Sequence, residues 1–209
     1  MAKKAKSVYM CAECGNEFPS WQGQCSYCGA WNSIVEQMVK PEADSDARRR
    51  TTSKATPSKL KSVGTGNYTR ITSGISELDR VLGGGIVLGS MILISGEPGI
   101  GKSTLIIQSA NSIALNNGTV LYVSGEESEE QVKLRADRVC ENLSDNLLIF
   151  PETNIESVLA ACEQTKPKFL VIDSIQTMYS EELDNTAGSI TQIRTCSNLL
   201  MKYAKTNNV

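Results

Sequence analysis

Two groups of residues have the types and spacing to support chemistry. The first is the set of four thiols in "CAECGNEFPSWQGQCSYCG": Cys11, Cys14, Cys25 and Cys28, two Cys-x₂-Cys pairs separated by ten residues. Each pair can bend two thiolates around one ion. Gly15 and Gly29 follow where such a knuckle needs a positive φ. Four sulfurs close a tetrahedral Zn²⁺ shell and leave no open position for a substrate, so the site is structural. Iron fits the same ligands, and the spacing alone does not separate the two metals. A pair of disulfides would need an oxidising compartment, for which the sequence gives no sign. A segment of about 30 residues is too small to fold on its own core, so metal binding is expected to supply its folding energy.

The second group is a phosphate grip. Gly96-Glu97-Pro98-Gly99-Ile100-Gly101-Lys102-Ser103 is a complete G-x₄-G-K-[ST] match, lying between an apolar run, Ser90–Ser95, and the helix pattern "STLIIQSANSIALNN". Strand, glycine loop and helix in that order turn backbone N–H groups onto the phosphates at the positive end of the helix. Lys102 reaches the β- and γ-oxygens, Ser103 ligates Mg²⁺ and Thr104 lies beside the nucleotide. Carboxylates follow. Glu126 and Glu127 come just past the strand pattern "TVLYVS", where one of them can orient and deprotonate the attacking water. Glu126 is the preferred base because "SEEQ" (128–131) is itself a capping box and claims the acids that follow. The apolar run "KFLVID" delivers Asp173, 71 positions after Lys102, as the carboxylate that holds Mg²⁺ through water. Ser174 and Gln176 are candidate γ-phosphate sensors.

These residues need a scaffold. The strand patterns Ser90–Ser95, Thr119–Ser124, Leu147–Phe150 and Lys168–Asp173 alternate with helix patterns. This predicts an α/β fold with a mainly parallel sheet that places its ligands at the carboxyl ends of the strands. "SELDRVLGGG" predicts a short lead-in helix, with Ser76 as N-cap and a stop at Gly83–Gly85. After Met178 a polar loop leads to a last helix, and "NNV" reads as the entry to another strand. The ATPase core is thus expected to be truncated. The domain expectation is a zinc ribbon over 1–35, a flexible basic linker over 36–66 and a nucleotide-binding core over 67–209. Within the linker, Ala47–Ser62 holds six basic residues and no acid. Residues 1–70 carry 11 Lys/Arg against 6 Asp/Glu, and the remainder 10 against 17. A basic front on an acidic body suits a polyanionic partner or a solvated tether. Trp21, Tyr27 and Trp31 are expected to pack over the metal site as a miniature core, with base stacking the alternative. Cys140, Cys162 and Cys196 read as buried thiols of a reducing compartment. No apolar run is long enough to span a membrane, which points to the cytoplasm.

In combination, the knuckles with "WQGQC", the lead-in "SGISELDRVLGGGIVLGS", "SGEPGIGKST", "YVSGEES" and "VIDSIQTMYSEELD" resemble the RadA (Sms) family of bacterial RecA-like DNA-repair ATPases. The resemblance covers nearly the whole chain except the linker. It implies a RecA-like P-loop core behind a four-cysteine ribbon, and an ATP-driven enzyme. Such an enzyme acts on single-stranded DNA, promotes branch migration of recombination intermediates, forms a homo-oligomeric ring (a hexamer) and can work beside a RecA-type recombinase. By resemblance, Gly96–Thr104 is the Walker A motif, Asp173 the Walker B acid, Glu126 the catalytic glutamate with Glu127 as fallback, and the four cysteines the zinc site. The loop 180–189 corresponds in order to a DNA-facing loop, although Glu181, Glu182 and Asp184 disfavour phosphate contact there. The family's later motifs and its Lon-protease-like domain have no counterpart in these 209 residues. The residues also fit two other readings, a KaiC-like signalling ATPase and a non-catalytic zinc adaptor switched by nucleotide.

Overall fold

A computed structural model describes residues 6–39, 59–62 and 70–209. The chain divides into two compact units, Met1–Tyr68 and Thr69–Val209. The expected linker and its basic run lie largely outside the described residues.

The first unit is a small antiparallel sheet. Strand β1 (Lys6–Cys11) is central, flanked by β2 (Glu17–Phe18) and β3 (Ile34–Val39). Its interior consists of Cys11, Cys25, Phe18 and Ile34, with Tyr9 and Cys14 packed against them. That is too little apolar surface to hold about 30 residues together without a metal. The expected aromatic lid is not there: Trp21, Tyr27 and Trp31 are 58%, 76% and 71% exposed. Phe18 and Ile34 already fill the space beside the thiols. The three rings sit on the turns around the second knuckle, outside that space.

The second unit begins with a two-stranded antiparallel ribbon, β4 (Arg70–Ile71) and β5 (Ile86–Val87), around helix α1 (Ser76–Val81). Ile75, not Ser76, occupies the N-cap of α1, and no side chain caps it. Asp79 turns back instead to accept the Ser73 N–H at 2.8 Å, which ties the helix to the buried segment before it.

The main sheet is parallel, in the order β7-β6-β8: β6 (Val120–Ser124), β7 (Leu147–Pro151) and β8 (Phe169–Asp173). All five residues of β6 are buried, as a central strand covered on both faces requires. Alternate residues feed two cores. Val120 and Tyr122 join Ile107, Ala110, Val132, Ala136 and Val171 under α2 (Lys102–Asn116) and α3 (Glu129–Val139). Leu121 and Val123 join Ile155, Val158, Cys162, Cys196 and Leu200 under α4 (Ile155–Thr165) and α5 (Ile190–Asn207). The result is a three-layer α/β arrangement of the predicted class, with Cys162 and Cys196 as core thiols and Cys140 half-buried at the end of α3.

One expected strand does not form. Residues 90–97 are in neither helix nor strand, and Met91 and Leu93 are 53% and 78% exposed. An isolated extended segment gains nothing from its β-propensity until a neighbour supplies ladder hydrogen bonds. Among the described residues no strand lies alongside it. Near its start, the Gly89 N–H donates to the carbonyl of Val209 at 3.2 Å.

Candidate nucleotide site and metal centre

In the first unit the four sulfurs lie within 4.8 Å of one another, with Cys11 Sγ to Cys28 Sγ at 3.7 Å and Cys14 Sγ to Cys25 Sγ at 3.5 Å. A disulfide is about 2.0 Å long, whereas the edge of a tetrahedron built on Zn–S bonds of about 2.3 Å is about 3.8 Å. The arrangement is that of a metal shell, and all four cysteines are free. Its electrostatics call for a cation. Burial opposes ionisation of Cys11, but the Ser33 hydroxyl and the N–H groups of Cys14 and Glu13 outweigh it and bring that thiol down to about 6. Cys25 is also lowered, its burial outweighed by the N–H groups of Cys28 and Tyr27. The Asn16 N–H favours the Cys14 thiolate, but burial and the three neighbouring sulfurs prevail and push it up to about 12. Thiolates so crowded ionise together only around a positive ion.

In the second unit the glycine loop leads directly into α2. Gly101 is the N-cap, at φ 98°, and no side chain caps the helix. The first-turn N–H groups therefore keep their capacity for an anion. Lys102 folds back over the loop, donating from Nζ to the carbonyls of Gly96 and Glu97 at 2.9 Å each. Beside it a cleft of about 490 Å³ is lined by Ile94, Ser95, Ile100, Gly101, Lys102, Thr104, Leu105 and Gln108. Pro98, Gly99 and Ser103 belong to the same loop and first turn.

The carboxylates gather at the carboxyl ends of β6 and β8, where Ser124 and Asp173 are in register. Tyr122 donates its phenol to Asp173 Oδ2 at 2.6 Å. Ser174 donates its hydroxyl to Glu126 Oε1 at 2.8 Å, which ties the ends of the two strands together. Glu127 is occupied differently: Arg135 of α3 forms an ion pair with it, and its own N–H donates to Ser124 Oγ at 3.1 Å. Glu126 is exposed and keeps one carboxylate oxygen clear of hydrogen bonds from the described residues. A second hollow of about 250 Å³ opens beside this pair, lined by Gly125, Glu126, Glu127, Pro151, Glu152 and Thr153 among others. Gly125 has to be glycine: a Cβ there would lie 1.9 Å from Thr177 Oγ1.

Sequence reasoning missed Tyr122, Arg135 and Gln192. Tyr122 passes for an ordinary core residue, and its only signal is a hydroxyl in the middle of a mostly aliphatic strand. Of the candidate phosphate sensors, Ser174 donates its hydroxyl to Glu126 and Gln176 is exposed. The loop over 180–189 is fastened down. The fully buried Gln192 donates to the carbonyls of Ser180, Leu183 and Asn185, and accepts from the Ser180 N–H.

A four-cysteine ribbon in front of an α/β core with a glycine-loop helix and paired strand-end acids defines a P-loop type nucleotide-binding domain with a metal-binding appendage. Residues 54–200 match the AAA domain family, and residues 9–36 match the rubredoxin metal binding domain. The chain belongs to this AAA domain family. It is 46% identical over 209 residues to the DNA repair protein RadA of Streptococcus pyogenes, 43% over 212 residues to that of Bacillus subtilis and 44% over 203 residues to that of Pseudomonas aeruginosa. These alignments cover 97–100% of this chain and 44–46% of each relative. The chain thus spans a little under half the length of the curated relatives it matches.

Proposed function

We propose that this chain supplies the metal ribbon and the nucleotide grip of a DNA-repair ATPase, which hydrolyses ATP while acting on single-stranded DNA and drives branch migration of recombination intermediates. The convergence of Asp173 and Glu126 at the ends of two adjacent strands, on the sheet that α2 covers, carries this reading. The relatives named as DNA repair proteins give it its biological setting. Among the described residues no helix is long and apolar enough to cross a membrane, in keeping with work in the cytoplasm.

Bound ATP with Mg²⁺ supplies the reactive γ-phosphoryl group and neutralises charge as it transfers. The backbone N–H groups of Gly96–Thr104 orient the phosphates, and Lys102 swings from its two carbonyl partners to the β/γ oxygens. Ser103 and Asp173 would hold the cation. Glu126, steadied by Ser174, uses its unoccupied oxygen to orient a water and take its proton. Cys11, Cys14, Cys25 and Cys28 hold Zn²⁺ as a fold-determining ion. The polyanion at the basic front is DNA, including branched intermediates. A homo-oligomeric ring of six subunits and a RecA-type recombinase are the proposed assembly and partner.

The test is ATP turnover with and without single-stranded DNA over a range of salt concentrations. Stimulation by DNA that fades steeply as salt rises is the expected result. Turnover indifferent to DNA would favour a signalling ATPase instead.

A further inference from the structure

We propose that Tyr122 is a positioning residue: its phenol fixes the rotamer of Asp173 so that one carboxylate oxygen faces the nucleotide's divalent cation. The proposal rests on the reading of Asp173 as the acid that holds that cation.

Tyr122 lies in the middle of β6, opposite Val171 of β8, and Asp173 is two residues further along β8. In a strand, residues two apart share a face, so Tyr122, Val171 and Asp173 all point to the side that α2 and α3 cover. The ring is only 1% exposed and belongs to the apolar core formed with Ile107, Val132 and Ala136. Phenylalanine would fill that space equally well, so packing accounts for the ring but not for its oxygen. A phenol buried there must find a partner, and the partner it has is Asp173 Oδ2, at 2.6 Å.

The consequence is directional. Oδ2 is spoken for, and Oδ1 accepts no hydrogen bond from the described residues. A short hydrogen bond to an ionised acceptor is among the stronger side-chain contacts, and it sets orientation as well as energy. Partners that stand behind metal-binding carboxylates act in this way, and losing one typically costs about 10–100-fold in metal affinity. Arg135 lies close enough to stabilise any negative charge on the phenol, but its own carboxylate partner is Glu127. The arrangement thus sorts the acids of the site: Glu127 to Arg135, Glu126 to Ser174 and Asp173 to Tyr122.

The experiment uses the full zinc-loaded chain and a fluorescent ATP analogue, titrated with Mg²⁺ and separately with Mn²⁺. Tyr122→Phe is expected to raise the metal midpoint for nucleotide binding about tenfold, the low end of that range, while affinity for the analogue without metal stays the same. A purely structural role would weaken both together. Asp173→Asn is run alongside. If Asp173→Asn shifts the midpoint and Tyr122→Phe leaves it within twofold, the Tyr122 proposal is overturned while the role of Asp173 stands. If Asp173→Asn has no effect, or the unmodified chain shows no metal-dependent binding, the reading of the site fails and the proposal falls with it. Should Tyr122→Phe not fold, Tyr122→Met also removes the hydroxyl while keeping an apolar filler, and it is judged by the same midpoint.

Discussion

The two units of this chain are built on opposite principles. In Met1–Tyr68 the interior is largely sulfur: Cys11 and Cys25 are buried, and among the described residues Phe18 and Ile34 are the buried apolar side chains beside them. In Thr69–Val209 a parallel sheet buries aliphatic side chains on both faces, and its two thiols there, Cys162 and Cys196, serve as small apolar residues. Burial in that core pushes Cys162 up to about 11, whereas hydrogen bonds bring Cys11 down to about 6 despite its burial. The same residue type is thus a ligand in one unit and packing in the other. The difference lies in the donors around it.

The largest expected effect breaks the first unit alone. Cys25→Ser, or a strong chelator, should release the metal and unfold the ribbon, because structural Zn²⁺ contributes on the order of 10 kcal/mol to such modules. The thermal transition of the second unit should stay where it was. Metal analysis and calorimetry read the two outcomes separately; a single transition shifting as a whole would mean that the units are not independent. Acid should act in the same way, since protons compete with metal for the sulfurs. Cys11 has a folded pKa lowered from 9.0 to about 6. Its contribution is complete above the unfolded value and is lost as pH falls through about 6. Metal retention measured against pH should therefore fall on acidification, with the point of loss set jointly by the four thiols and the bound ion.

The next effect breaks the second unit's chemistry without touching its fold. Lys102→Ala removes the only cation of the glycine loop and should lower ATP turnover by about 10²–10³-fold, the scale for one charge-stabilising donor. Metal content and the melting temperature should not change, because Lys102 is only half-buried and its ammonium bonds only to loop carbonyls.

A smaller effect tests how tightly the sheet holds its acids. Gly125→Ala puts a Cβ 2.8 Å from Thr177 Cβ and 3.1 Å from Met178 Cε. Overpacking of this kind costs about 1–3 kcal/mol. It should lower the stability of the second unit in a denaturant titration and, by displacing Glu126, slow turnover more than it weakens nucleotide binding.

What was legible in the sequence divides along physical lines. Most patterns that depend on neighbours in the chain read true: the Cys-x₂-Cys knuckles, the capping box at Ser128, and the three strands that find partners; the cap at Ser76 does not form, and Asp79 accepts from the Ser73 N–H instead. Patterns whose outcome depends on distant neighbours did not. Ser90–Ser95 is as apolar as β6, but β6 has a strand on either side and that segment has none among the described residues. Trp21, Tyr27 and Trp31 surround the knuckles in sequence, yet which aromatic fills the space beside the thiols was decided by β1–β2 pairing, which brings in Phe18. The hydrogen bond from Tyr122 to Asp173 spans 51 residues, and no local pattern encodes it.

The smallest expected effect concerns a feature that was fully local. At the start of α3, Ser128 Oγ accepts from the Gln131 N–H at 3.4 Å, and Gln131 Oε1 accepts from the Ser128 N–H at 2.9 Å, a reciprocal capping box. Ser128→Ala removes one half of it and should cost about 1 kcal/mol. The site should feel little of this, because Arg135 holds Glu127 from two turns further along the helix, and Glu126 is held from β8 by Ser174. A modest drop in stability with turnover unchanged is the expected pair of results. A large loss of turnover at that small cost in stability would mean that Glu126 takes its position from the cap of α3, and that the sheet alone does not place it.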